Sequence, residues 1–327
     1  MATIRDVAKL AGLSVATVSR AINGSGYVSE ESRQKIEHAV KALDFRPNEV
    51  ARSLFQKKSK LVGLLLPDIS NPFFPLLAKG VEDYLQKKGY QVILGNVQEN
   101  PERANDYLHA FHQNNVAGVL SAVDNDYAIY DKVHPLVFLD RVGKDSEYSI
   151  HADDVSGGAI AATTVLKRKA KEIIVISGPA EIDRSKERLQ GVLSVLKQAK
   201  SNYKIVNSQS FLLEDAIITA QTVFRQFPQV DTVIAPSDIH AIALIQEAYR
   251  RNIKVPDALQ VIGYDDIPIS NLVVPPLTTI HQPAYEMGYQ GAEMLYQLMN
   301  DQQVRQKKLI LPTRLVERDT LRKKETQ

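Results

Sequence analysis

The spacing of apolar positions changes character once along the chain, near residue 60. Before that point apolar residues recur at three- and four-residue steps: Ile4, Val7, Ala8 and Ala11, then Val15, Val18 and Ile22, then Ile36, Val40 and Leu43. That period puts each set on one stripe of a helix. Polar starts and glycine stops bracket the runs. Thr3 stands three residues ahead of Asp6, the spacing at which hydroxyl and carboxylate each satisfy an orphan backbone N–H of a first turn. The pattern predicts a helix over 4–11, a turn at Gly12, and a second helix capped by Ser14 that runs to about Ile22 before Asn23-Gly24. A third helix is predicted after Ser29, stopping before Arg46-Pro47.

Beyond residue 60 the runs become short and continuous. Leu61–Leu66, Gln91–Leu94, Gly118–Val123 and Leu136–Leu139 are rich in Val, Ile and Leu, as strands buried on both faces of a parallel sheet are. Ile173–Ile176, Lys204–Val206, Thr232–Ile234 and Gln260–Ile262 repeat the theme, with amphipathic stretches such as Phe74–Lys88 and Ala241–Arg251 between strands. Strand starts nearly thirty residues apart match one strand-helix-loop unit. The expected fold class is α/β: an N-terminal all-α domain followed by two doubly wound parallel-sheet lobes with a cleft between them. Ligands of such sheets gather at the carboxyl ends of the strands.

The 327 residues, 44% hydrophobic and 24% charged, fit two or three folded units at roughly 150 residues each. The absence of cysteine excludes disulfides, thiolate metal sites and cysteine nucleophiles, and suits a reducing cytosol. Charge at Arg5 and Asp6 argues against a secretory signal, and no apolar run approaches the roughly eighteen residues of a membrane span, so a soluble cytoplasmic protein without a membrane partner is expected. The net charge of +2 hides an asymmetry. Residues 1–60 hold 11 Lys+Arg against 6 Asp+Glu, and the other 267 hold 29 against 32. A basic front is a hint of a polyanion, although a patch of this kind, taken alone, is more often a solvated charged face.

Two helices joined by a short glycine-containing turn match a DNA-binding helix-turn-helix in length and polarity. The outward face of the second carries Ala16, Thr17, Ser19 and Arg20, small, hydroxylated or basic side chains. Ser14, Thr17 and Ser19 suit phosphate contacts, and Arg20 can fork onto guanine O6 and N7. The string Ile4-Arg5-Asp6-Val7-Ala8-Lys9-Leu10-Ala11-Gly12-Leu13-Ser14-Val15-Ala16-Thr17-Val18-Ser19-Arg20-Ala21-Ile22-Asn23 resembles the lactose/galactose-repressor family of bacterial transcription regulators. The resemblance implies that Val15 and Ala16 occupy base-reading positions, offering apolar contact such as a thymine methyl takes, and that Arg20 is a base contact. Thr3, Asn23, Asn48 and Ala51 complete the expected DNA-binding set.

Arg46-Pro47-Asn48-Glu49-Val50-Ala51-Arg52-Ser53-Leu54 resembles that family's hinge, a helix formed on operator DNA whose leucine, here Leu54, wedges into the minor groove. The polar basic Gln56-Lys57-Lys58-Ser59-Lys60 follows, and the segment is too short to be a stable helix alone. The expected domains are a DNA-binding domain over 1–46, a hinge and linker over 47–60, and a two-lobed effector-binding and dimerisation body over 61–327. A single reader of this size implies a homodimer on near-palindromic double-stranded operator DNA.

The resemblance extends to about Thr320 and points to a sugar cleft. It implies that Asn71, Phe73 and Phe74 supply an amide hydrogen bond and an aromatic face for a sugar ring. Asp140 and Arg141 follow the run Leu136–Leu139 and would bind sugar hydroxyls, with Arg188, Asp265 and Gln282 as further polar contacts. Ser237 matches a position where relatives often carry Asn, as does Asp154, so one amide donor is lost at Ser237. Asp153 is expected to cap the helix opening at Val155. The C-terminal Arg322-Lys323-Lys324-Glu325-Thr326-Gln327 reads as a polar tail without an apolar heptad.

The carboxylates also suit a glycosidase pair, and a carbohydrate-active enzyme or plain sugar-binding protein is the alternative. A P-loop, a dinucleotide fingerprint and a nucleophile elbow are all missing from the sequence. His109 and His112 stand three residues apart with no acidic or thiol partner in register, so no metal and no cofactor is expected. The expected function is therefore a non-enzymatic, sequence-specific transcriptional repressor of a sugar-utilisation operon. A small sugar or sugar-phosphate effector bound between the lobes would control its operator affinity.

Overall fold

A capping box opens the chain. Thr3 accepts the Asp6 N–H while the Asp6 carboxylate accepts the Thr3 N–H at 2.8 Å, which starts α1 (Ile4–Ala11). Gly12 ends the helix at φ +66°, a left-handed conformation that lets its N–H reach back to the last-turn carbonyls. Helices α2 (Val15–Asn23) and α3 (Glu30–Ala42) complete the first unit. Val7, Ala8, Ala11, Val18, Ile36 and Ala39 form its core. Val15 does not share the buried face with Val18 as its spacing suggested. It is 42% exposed, because three residues before Val18 at the first turn it falls on the edge of the stripe.

The computed structural model describes residues 2–23, 26–45, 59–98, 100–123, 133–142 and 146–323. The chain divides into two units, Met1–Ser59 and Lys60–Gln327. The expected hinge residues Asn48, Ala51 and Leu54 lie outside the described residues.

The second unit holds two six-stranded sheets. In the first lobe β1 (Leu61–Leu66), α4 (Phe73–Lys87), β2 (Gln91–Asn96), α5 (Pro101–Gln113), β3 (Val119–Ser121), β4 (Leu136–Leu139) and β5 (Ser149–Ala152) follow one another. The chain then enters the second lobe with α6 (Asp154–Leu166), β6 (Ile173–Ser177), α7 (Asp183–Gln198), β7 (Tyr203–Asn207), α8 (Leu213–Gln226), β8 (Thr232–Ile234), α9 (Asp238–Arg250), β9 (Gln260–Asp265) and β10 (Thr279–His281). It returns with α10 (Ala284–Met299) and β11 (Lys308–Leu311) to the first, and ends with β12 (Arg314–Val316) in the second.

The strand orders are β11-β5-β4-β3-β1-β2 and β12-β10-β9-β8-β6-β7. Every pair is parallel except β10 with β12. The lobes are therefore not consecutive halves: the chain crosses between them after β5, β10 and β11. Beads of Val, Ile and Leu make the central strands, and β3, β6, β8 and β9 are buried along their whole length. β2 and β7, expected to be covered on both faces, are edge strands and partly exposed. Arg322 is not part of a free tail. It donates to the Asp257 and Lys169 carbonyls and pairs with Asp231, anchoring this position to the second lobe beside buried Leu321.

Candidate functional site

The groups that line the cleft come from the ends of strands, the loops that follow them and the start of α7. Asn71, Phe73 and Phe74 follow β1, and Asp140 and Arg141 follow β4. From the second lobe come Ile182, Arg184, Ser185 and Arg188 after β6, Phe211 after β7, Asp265 at the end of β9 and Gln282 after β10. Together they line a cleft of about 390 Å³ that is open to solvent. Asn71 turns its side-chain oxygen onto the Phe73 N–H at 3.1 Å, which fixes the entry to α4. Phe73 and Phe74 meet edge-to-face at 5.2 Å, and the Arg141 guanidinium lies 5.7 Å from the Phe74 ring centre. The wall is thus an aromatic face rimmed by charge.

Two aspartates carry the polar chemistry. Asp140 and Asp265 have φ of +58° and +117°, conformations that L-residues rarely adopt and that concentrate at binding sites. Burial, with the charge of Asp154 second, holds the Asp140 carboxyl above the usual range. Burial pushes Asp265 well above it, against the pull of Arg188. Gln282 donates from Nε2 to Asp265 Oδ1 at 2.6 Å, and its own Oε1 is buried without a hydrogen-bond partner among the described residues. A buried amide oxygen so placed has the capacity to accept one further hydrogen bond.

Arg188 is held from behind. Its Nε and Nη2 donate to Asp154 Oδ1 at 3.1 and 2.8 Å, Nη1 donates to the Pro236 carbonyl, and the guanidinium lies 3.5 Å from the Tyr264 ring centre. This requires α6 and α7 to touch. Gly158 and Gly191 make the approach possible: a Cβ on Gly158 would lie 2.1 Å from the Arg188 carbonyl oxygen, and one on Gly191 2.0 Å from that of Val155. Arg184 bridges the lobes, donating to His151 Nδ1 on β5 at 3.0 Å while pairing with Glu187.

In the first unit, α2 presents Val15, Ala16 and Arg20 outward, with Thr17 and Ser19 half-buried. Ser14 Oγ accepts the Thr17 N–H at 3.1 Å and lies 2.9 Å from the Thr17 hydroxyl, so it acts as the N-cap. Thr3 caps α1, and Asn23 is the last residue of α2.

Comparison with known proteins agrees with this geometry. A family profile described as "Bacterial regulatory proteins, lacI family" matches residues 3–48, and one described as "Periplasmic binding protein-like domain" matches residues 162–321. The chain is 46% identical over 324 residues to a ribose operon repressor of Lactococcus lactis subsp. lactis (strain IL1403), covering 99% of each. The chain belongs to the lacI family. A ribose operon repressor of Bacillus subtilis (strain 168) is 44% identical over 99% of this chain and 100% of its own length. Among solved structures, the lac repressor dimer bound to operator and the anti-inducer ONPF shares the fold, with a TM-score of 0.88 at 24% identity over 98% of this chain and 99% of that one.

As a lacI-family protein the chain is a DNA-binding transcriptional regulator. Asn71, Phe73, Phe74, Asp140, Arg141, Arg188, Asp265 and Gln282 come together in the cleft. Ser237 does not join them: it is buried as the N-cap of α9 with its hydroxyl on His240 Nδ1 at 2.9 Å. Asp153 caps α6 through the Ser156 N–H. Ile182, Arg184, Ser185 and Phe211 line the cleft and escaped the sequence reading. Only the position of Phe211 just after the apolar run Lys204–Val206 signals it. His109 and His112 are exposed on α5, and no group of three or more possible metal ligands occurs among the described residues.

Proposed function

We propose that this lacI-family protein represses an operon for the use of D-ribose, and that D-ribose bound in the cleft releases it from operator DNA. The observation that carries this is the cleft itself, where Asp265, Gln282 and Asp140 line one space together with Phe73, Phe74 and Phe211. Ionised carboxylates accept sugar hydroxyls, an amide oxygen accepts another, and aromatic faces take the C–H face of a ring. The names of the two ribose operon repressors at 46% and 44% identity supply the pentose. A neutral sugar fits better than a sugar phosphate. Arg188 is committed to Asp154 and Arg184 to Glu187, so neither guanidinium is presented as a fork for a phosphate dianion. The acids serve as binding groups and the protein acts without catalysis, in the cytoplasm where its operator lies.

On DNA, Arg20 reads guanine, Val15 and Ala16 touch thymine methyls, and Ser14, Thr17, Ser19, Thr3 and Asn23 lie along the backbone. Residues 47–60 act as the hinge, with Asn48 and Ala51 on the duplex and Leu54 as its minor-groove wedge. A second copy supplies the other half-site. It docks on the apolar face left by Ile269, Leu272 and Val274, the last two 75% and 88% exposed beside the inward-turned Val273. Sugar-using enzymes serve only when their sugar is present, so ribose acts as inducer: it favours the lobe arrangement in which the paired hinges separate.

Isothermal calorimetry with D-ribose, ribose 5-phosphate and D-xylose, paired with operator anisotropy, tests the reading. Saturable ribose binding that weakens operator binding is expected. Preference for the phosphate, or ribose binding without effect on operator, would overturn it.

A further inference from the structure

Two loops of the second lobe position cleft groups, and one imidazole is bonded to both. The loop after β7 carries Phe211, and the loop after β8 carries Pro236, whose carbonyl anchors Arg188. His240, fully buried on α9, reaches Ser208 Oγ of the first loop with Nε2 at 2.8 Å and Ser237 Oγ of the second with Nδ1 at 2.9 Å. The Phe211 ring stands edge-on to the imidazole, centres 6.1 Å apart. On its other side the ring tip fills space opened by Gly178, where a Cβ would lie 2.7 Å from Phe211 Cζ.

The bonds fix the tautomer. Ser208 has one hydroxyl proton, aimed at Asp215 Oδ2 at 2.5 Å or the Ser210 carbonyl at 2.7 Å, both acceptors only. Either way its oxygen is left to accept, so His240 carries its proton on Nε2, and Nδ1 accepts the Ser237 hydroxyl. Asp215 also accepts the Gln209 and Ser210 N–H groups at 2.9 and 3.0 Å, which ties the Phe211 loop to the same chain of bonds. Burial lowers the imidazole pKa to about 4, so it stays neutral.

We propose that His240 is a positioning residue for effector recognition: it sets the Phe211 ring relative to Arg188 by locking the two loops together. The proposal rests on the reading of the cleft as the effector site. It also explains why Ser237 turns away from the cleft, since its only proton is committed to Nδ1. Without the tie, Phe211 must be ordered at each binding event, a cost borne in affinity.

The test compares His240→Asn, which keeps an amide near Nδ1 and loses Ser208, with His240→Gln, which reaches Ser208. By calorimetry the Asn variant is expected to bind D-ribose roughly three- to tenfold more weakly, the cost of ordering one side chain, and the Gln variant within about twofold of the parent. In the empty protein, labelled Phe211 ring signals should be sharp in the parent and the Gln variant and exchange-broadened in the Asn variant, and the His240 nitrogens should report the Nε2–H form. If the Asn variant does not fold, Ser208→Ala takes its place with the same expectations. Equal affinities and equal Phe211 spectra across the series, or an Nδ1–H imidazole, would overturn the proposal. A parent that ignores D-ribose but shows these spectra would refute the choice of sugar and leave the positioning role standing.

Discussion

Asp265 illustrates what a buried carboxylate in the cleft costs the folded protein. Its carboxyl is buried at a strained φ, and it holds its proton more tightly when folded than when unfolded. Asp265→Asn is expected to raise the melting temperature of the ribose-free protein by about 2–4 °C, roughly 1 kcal/mol at this size, while abolishing the ribose response. The sign of the pH dependence follows from the same shift. Because the folded state of Asp140 and Asp265 binds protons that the unfolded chain has released, their contribution to stability is full at low pH and is lost as pH rises through the raised values. Ribose hydroxyls favour the ionised carboxylates, so ribose affinity should rise as pH is raised above the ordinary carboxylate range, with proton release on binding. Calorimetry in buffers of differing ionisation enthalpy reads both. In the first unit, Arg20→Ala should weaken specific operator binding by about 1–3 kcal/mol, measured by anisotropy against a scrambled duplex. At this scale the sequence was informative where a motif set residue order and misleading where a neighbour decides. The hydroxyl of Ser237 follows His240, and nothing in the primary order of Ser237-Asp238-Ile239-His240 shows a buried bond from Nε2 to Ser208.

At the scale of elements, the site depends on how closely helices approach. Gly158→Ala places a methyl against the Arg188 carbonyl, so α6 and α7 must part. The expected loss is about 1–3 kcal/mol of stability by denaturant unfolding, with weaker ribose binding because Arg188 moves with α7. Strands β1, β4 and β8 were legible to the residue, since continuous Val, Ile and Leu runs mean burial on both faces. The edge positions of β2 and β7 were not, because strand order is set by crossover connections that leave no local signal. The return of α10 and β11 to the first lobe was hidden for the same reason: Ala284–Met299 reads as an ordinary amphipathic helix, and only its packing on α4 assigns it.

At the scale of the whole molecule, a basic helical unit precedes a two-lobed body whose cleft is the proposed effector site. The division at Ser59 and Lys60 predicts that a chain starting at Lys60 folds and binds ribose. An insoluble product would place the boundary elsewhere. Val274→Lys should convert the dimer to monomer in sedimentation velocity and weaken operator binding, since a half-site reader alone holds few phosphates. The most direct measurement is linkage. Operator affinity is titrated with and without saturating D-ribose, and ribose affinity with and without saturating operator, on the full chain at fixed salt. The two ratios should be equal and should both report mutual weakening. Operator affinity that is identical with and without bound ribose would contradict the coupling on which everything else depends.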